Sequence, residues 1–153
     1  MRKTLIAIAA AALVAAPALS ENISDPEEIL TARHGYMLLL ANQLAPLGAM
    51  AKGEMPYDAA TAARAAASLA ALASVDTSML WAPGTEEGAI EDSSALPEIL
   101  SNTADREARF AELTTASHTL SAAAGTDLEG LKAAMGAVGQ ACGGCHKQYR
   151  KSE

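Results

Sequence analysis

The chain is poor in aromatic residues: Trp81, Phe110, Tyr36, Tyr57 and Tyr149 are all it has among 153 residues. Alanine, by contrast, is abundant. It favours helix but buries little apolar area, so a core built this way is short of volume unless something other than protein fills it. Basic charge is scarce as well, with 11 Lys and Arg against 18 Asp and Glu and a net charge of −7. That balance argues against nucleic acid or anionic lipid as a partner, since both require a basic face. No strand-like alternation of useful length occurs, which removes sheet architectures. Only two cysteines, Cys142 and Cys145, are present, too few for a disulfide framework.

Those two cysteines fall within Cys142-Gly143-Gly144-Cys145-His146. Two thiols three residues apart, followed at once by an imidazole, form the spacing that attaches a c-type haem. On a continuous helix both sulfurs lie on one edge, where they can form thioethers with the porphyrin vinyl groups, and the next side chain points at the iron. Three rival uses of the two thiols fit less well. A redox dithiol should open a helix after an apolar strand in a βαβ unit, and no such pattern is present. Zinc needs four ligands, and His34 and His118 are far off in sequence. A disulfide across a three-residue gap closes too small a loop to stabilise much.

The N-terminus agrees with the haem reading. Met1-Arg2-Lys3 is basic, Leu5 to Ala16 is apolar, and Ala16-Pro17-Ala18 or Ala18-Leu19-Ser20 offers small residues for cleavage. This is the pattern of a secretory signal peptide over residues 1–20. The apolar stretch is too short to span a bilayer comfortably and Glu21 to Glu28 is polar, so no membrane span is expected in the mature protein. Covalent haem attachment in bacteria takes place outside the cytoplasmic membrane, which makes the periplasm the expected compartment. Residues 21–153 then form one domain with 9 basic and 18 acidic side chains, a net charge near −9. The partners suited to it are proteins with basic docking surfaces.

Four helices are predicted. The first opens at Asp25-Pro26-Glu27-Glu28, where an N-cap, a proline at the first helical position and acids in the first turn agree. Leu30, Arg33, Met37, Leu40, Leu44 and Leu47 then recur as one stripe. A second, alanine-rich helix covers about Asp58 to Ser74. A long connection, Val75 to Leu96, follows, and Pro97-Glu98-Ile99-Leu100 is expected to add a short turn. A third helix is predicted from about Asp105 to Ala124. The fourth starts at the Thr126-Asp127 cap, with Leu128, Leu131, Met135, Val138, Cys142 and Tyr149 on one face. The fold class is all-α, an antiparallel four-helix bundle.

The whole mature chain resembles the class II c-type cytochromes, the family of cytochrome c′ and cytochrome c-556. The resemblance rests on Pro26-Glu27-Glu28 leading to Arg33, on Lys52-Gly53-Glu54-Met55-Pro56-Tyr57-Asp58-Ala59-Ala60, and on Pro83-Gly84-Thr85 followed by Pro97-Glu98-Ile99. Its most specific segment is Cys142-Gly143-Gly144-Cys145-His146-Lys147-Gln148-Tyr149-Arg150. Two departures are His34, where the family often has Gln, and Leu100, where it often has Trp. The resemblance implies one covalent haem c per chain near the C-terminus, with Cys142 and Cys145 as thioether anchors and His146 as the proximal iron ligand. It implies Arg150 near the proximal imidazole, and Arg33 and His34 near the haem edge as propionate partners, with Ser94 a further candidate at that edge. Arg33 could instead be a snorkelling side chain, His34 and His118 solvated or packed histidines, and Tyr36 and Tyr149 core aromatics.

Met37, one turn after Arg33, stands where the resemblance implies a residue facing the open side of the iron. As a sixth ligand its soft thioether would raise the reduction potential and favour electron transfer. As a distal lid it would be an ordinary core filler. The main expectation is therefore a low-spin His/Met electron carrier. The alternative is a five-coordinate cytochrome c′-type protein binding nitric oxide or carbon monoxide. No distal acid/base pair is evident among Leu30, Met37, Leu40 and Leu44, so an enzyme is not expected. Homodimerisation through the first two helices is common in the family and stays open for this chain.

Overall fold

The computed structural model describes residues 24–152; the expected signal peptide, residues 1–20, lies outside them. Helix α1 spans Pro26–Lys52. The Asp25 carboxylate accepts from the Glu27 backbone N–H at 3.0 Å, Pro26 takes the first position where no N–H is needed, and Glu27 and Glu28 complement the helix dipole. Gly53 ends it at φ 77°, a left-handed conformation that favours glycine. Pro46 sits inside α1 and withholds the N–H that the Asn42 carbonyl would accept, at a point where Asn42 is exposed.

Helix α2, Ala59–Ala73, is capped by Asp58, whose carboxylate accepts from the Thr61 N–H at 2.7 Å. It buries Ala62, Ala65, Ala66, Leu69, Ala70 and Ala73, so nearly its whole inner face is methyl groups. The long connection contains a 3₁₀ turn at Ser78–Leu80 and ends in the short helix α3, Glu98–Ser101. Helix α4, Thr103–Ala123, begins two residues earlier than its sequence pattern indicates. Buried Arg106 donates to the Ile99 carbonyl at 3.1 Å and joins α3 to α4 there. Helix α5, Leu128–Tyr149, starts at the Asp127 cap and runs through the cysteine motif without a break.

The four long helices form a closed ring: α1 packs on α2 and α5, and α4 packs on α2 and α5. This is the expected antiparallel four-helix bundle, and no strand occurs among the described residues. Leu47, Met50, Leu69, Leu120, Leu131 and Val138 fill its centre. Along the α1 stripe Leu30, Arg33, Leu40 and Leu47 are buried, whereas Met37 and Leu44 are only half-buried. The shortfall falls midway along α1, beside a cavity that Met37 and Leu44 both line. No helix among the described residues is long and apolar enough to cross a membrane.

The α4–α5 turn depends on a close approach at Gly125. A Cβ there would lie 2.8 Å from the Ala63 Cβ and 3.5 Å from the Ala59 carbonyl oxygen on α2. Gly125→Ala should therefore cost about 1–3 kcal/mol, because one helix must shift to relieve the overlap. A thermal melt of this variant at unchanged haem content checks the expectation.

Candidate cofactor site

Because α5 remains helical to Tyr149, Cys142, Cys145 and His146 stand three and four residues apart on one face. Both thiols are half-buried, and the His146 ring is open to the space beside them. The end of α5 is stitched to the long connection. Leu96 N–H donates to the Tyr149 carbonyl at 2.8 Å, Lys151 N–H donates to the Ser94 carbonyl at 2.8 Å, and Ala95 and Arg150 form an antiparallel bridge. This brings Ser94 and Arg150, 56 positions apart in sequence, to the same rim.

Two cavities flank the motif. The larger, about 460 Å³, is bordered by Arg33, His34, Met37, Ser94, Cys145, His146 and Arg150. Every site residue expected from the sequence, Cys142 excepted, meets at this one cleft. Cys142 borders the second cavity, about 180 Å³, together with Met37, Cys145 and His146 and the apolar side chains of Leu40, Leu44, Phe110 and Leu113. The volume of the larger matches the roughly 300–1,000 Å³ usual for small-molecule and cofactor sites. His118 lies elsewhere, with Nε2 3.2 Å from the Ser74 hydroxyl.

The electrostatics suit attachment and ligation better than dithiol chemistry. Burial pushes both thiols above their ordinary pKa, and for Cys145 the Arg109 guanidinium partly opposes it. A redox dithiol needs the opposite shift. Burial, and then Arg150, push His146 below its ordinary value, favouring the neutral imidazole that a metal requires. Among the described residues, no group of three or more His, Cys, Asp or Glu side chains is gathered as a metal site.

Arg33 is not a free guanidinium at the cleft edge. It is 4% exposed and donates to the Leu80 carbonyl at 3.3 Å, to the Thr85 hydroxyl at 3.0 Å and carbonyl at 2.5 Å, and to the Ser93 hydroxyl at 3.1 Å. Its Cζ also lies 5.0 Å from the centre of the Trp81 ring. The side chain is thus the centre around which the Ser78–Ala95 connection folds. The snorkelling alternative does not describe it, and its pairing with a propionate would have to share these partners. His34 is exposed on the cleft wall and carries no such load.

Two residues at the site carried no sequence signal for it. Trp81 lines the cleft and packs against Phe110, whose ring also meets Tyr36, with centroids 6.0 and 6.4 Å apart. Arg109, on α4, lines the smaller cavity beside both cysteines. Trp81 Nε1 is buried without a hydrogen-bond partner, and Arg109 Nε is buried with no hydrogen bond of its own, its nearest acceptor being the Asp105 carboxylate at 3.5 Å. Orphaned polar atoms at the walls of two adjoining apolar cavities are unusual in a self-sufficient core. Together with the donor set of two thiols, a neutral imidazole and a thioether, they fit a haem seated between α1, α4 and α5.

Comparison with known proteins bears on the same point. The family model described as Cytochrome C' matches residues 28–150. A cytochrome c-554 of Cereibacter sphaeroides is 45% identical over 141 residues, covering 92% of each chain. A cytochrome c′ of the same organism is 40% identical over 150 residues, covering 98% of each. Among solved structures, a cytochrome c′ from Rhodobacter sphaeroides superposes with a TM-score of 0.82 at 39% identity, over 85% of this chain and all of that one.

Proposed function

The chain belongs to the cytochrome c′ family of covalent haem c proteins, and from that premise we propose that it is a periplasmic electron carrier held by His146 and Met37. Cys142 and Cys145 are the thioether anchors in this reading. The observation that carries it is Met37: it borders both cavities, and so does His146. Bordering the same two spaces as His146, Met37 is a side chain that would be within the haem's surroundings and could supply a thioether to its iron.

Haem supplies a one-electron iron couple. The protein's own residues do the rest. Burial and then Arg150 lower the pKa of His146, which favours the neutral ring whose nitrogen lone pair can ligate. Met37 offers a soft thioether that favours the reduced state, and Leu40, Leu44, Phe110 and Leu113 keep water from the site. His34, Ser94 and Arg150 face the cleft rim, where they can hold the haem carboxylates. The acidic surface favours basic redox partners, weakly and with strong salt dependence.

One observation favours the alternative, a five-coordinate protein binding nitric oxide or carbon monoxide. The 180 Å³ cavity beside Met37 is apolar and has room for a diatomic ligand if the thioether turns away. Optical spectra of oxidised and reduced protein, before and after carbon monoxide, separate the two. The expected result is a sharp α/β pair on reduction that ignores carbon monoxide and is lost in Met37→Ala. A broad high-spin spectrum that shifts with carbon monoxide makes Met37 a lid and gives the alternative. Absence of haem bands would overturn both.

A further inference from the structure

The last turn of α5 is tied to α4 by a closed circuit of four side chains. The Arg109 Nη2–H donates to Gln148 Oε1 at 3.2 Å, and the Gln148 Nε2–H donates to the Tyr149 hydroxyl at 3.1 Å. The Tyr149 hydroxyl in turn donates to Asp105 Oδ2 at 2.6 Å, and that carboxylate lies 3.5 Å from Arg109 Nε. Tyr149 is buried, 2% exposed, the Arg109 and Asp105 side chains are 28% and 40% exposed, and Gln148 is exposed, so the circuit runs from the bundle interior to the solvent edge. Glu112 meets Arg109 from outside at 3.5 Å and is the more exposed partner.

The circuit closes around the segment that carries the chemistry. Gln148 and Tyr149 follow His146 by two and three residues. Arg109 itself borders the cavity walled by Cys142, Cys145 and His146, and an added Cβ at Gly144 would lie 3.6 Å from its Nη1. Only Arg109 in the circuit is both a member of it and a wall of that cavity.

We propose that Arg109 and Asp105 form a positioning and tuning pair, holding the turn that carries Cys145 and His146 against α4 and setting the reduction potential of the haem through their opposite charges. The inference rests on the haem reading above. In a partly desolvated site a nearby cation favours the ferrous state, which carries one positive charge fewer, and a nearby anion disfavours it. Because the ion pair is off-centre, with Arg109 against the cavity and Asp105 behind it, the two charges do not cancel there.

The test is the midpoint potential of full-length Arg109→Gln, Arg109→Lys and Asp105→Asn proteins, measured by spectroelectrochemistry at low and high salt, with haem content and thermal melting alongside. Asp105→Asn keeps an acceptor for the Tyr149 hydroxyl and removes only the charge. The expected result is a lowered potential in Arg109→Gln, a raised one in Asp105→Asn and a value near wild type in Arg109→Lys, all at unchanged haem content. A purely structural role would move both neutralising variants the same way, in step with their melting temperatures. That result, or unmoved potentials, overturns the inference and leaves the proposed function standing. Wild-type protein without haem overturns both. Should Arg109→Gln fail to fold, the sign of the Asp105→Asn shift decides.

Discussion

Cys142→Ala combined with Cys145→Ala is expected to yield a colourless, poorly folded chain. The two thiols are the only ones in the sequence, so covalent haem should fall to nothing. The structural consequence follows from where the core runs short. Cavities of about 460 and 180 Å³ flank the motif, and Met37 and Leu44 on α1 are only half-buried beside them. Protein interiors are normally close-packed, and unfilled apolar space costs stability in proportion to its size. Without an anchored haem, the Met37–Leu44 stretch of α1 is left without filling between it and α5. The checks are a haem assay on denatured protein and far-ultraviolet circular dichroism. A stable apo-protein with wild-type helicity would count against haem as part of the core. His146→Ala is the companion variant: it keeps both anchors, and survival of the wild-type spectrum in it would require another proximal ligand.

Arg33→Ala should be the most damaging substitution outside the motif. It removes a guanidinium that makes four hydrogen bonds and stacks on Trp81, and it leaves the buried Thr85 and Ser93 short of a donor. Orphaning buried polar groups costs about 1–3 kcal/mol apiece, so a loss of about 3 kcal/mol or more is expected. For a domain of this size that corresponds to a fall in Tm of roughly 10 °C. Because the connection from Ser78 to Ala95 forms one wall of the cleft, haem exposure should rise with it. Thermal melting and the rate of haem bleaching by peroxide measure the two effects. Arg33→Lys should recover little, since one ammonium cannot reach the four acceptors that the planar fork serves. A variant as stable as wild type would show that the connection is held by other contacts.

The connection is also where the sequence was least legible. Between Val75 and Leu96 the turn residues could be read, but not their partners. Those partners come from α1 and from the end of α5: Arg33 in the first case, Tyr149 and Lys151 in the second. Contacts between residues so far apart in sequence leave no periodic trace. Arg106 and Arg109 escaped for a similar reason, since on a helix of mostly Ala, Thr and charged residues an arginine reads as a solvated charge. Only the packing of α4 on α3 and α5 reveals that one binds the Ile99 carbonyl and the other reaches Gln148.

Local rules sufficed for much else. The Asp25, Asp58 and Asp127 caps lie where the sequence puts them, because a cap requires only a short polar side chain within two or three residues of the N–H it accepts from. The helical repeat selected the buried faces of α1 and α5, and the spacing of Cys142, Cys145 and His146 on one of those faces carried the cofactor. Fold class, cofactor chemistry and family were therefore determined by the sequence alone, since each follows from residue order and spacing within short local segments. The tertiary structure decided what converges on the cofactor: it withdrew Arg33 into the long connection, brought Ser94 and Arg150 to one rim, and set Arg109 beside the cysteines. Those outcomes depend on which helix faces meet, a property of the packed bundle that no single segment encodes.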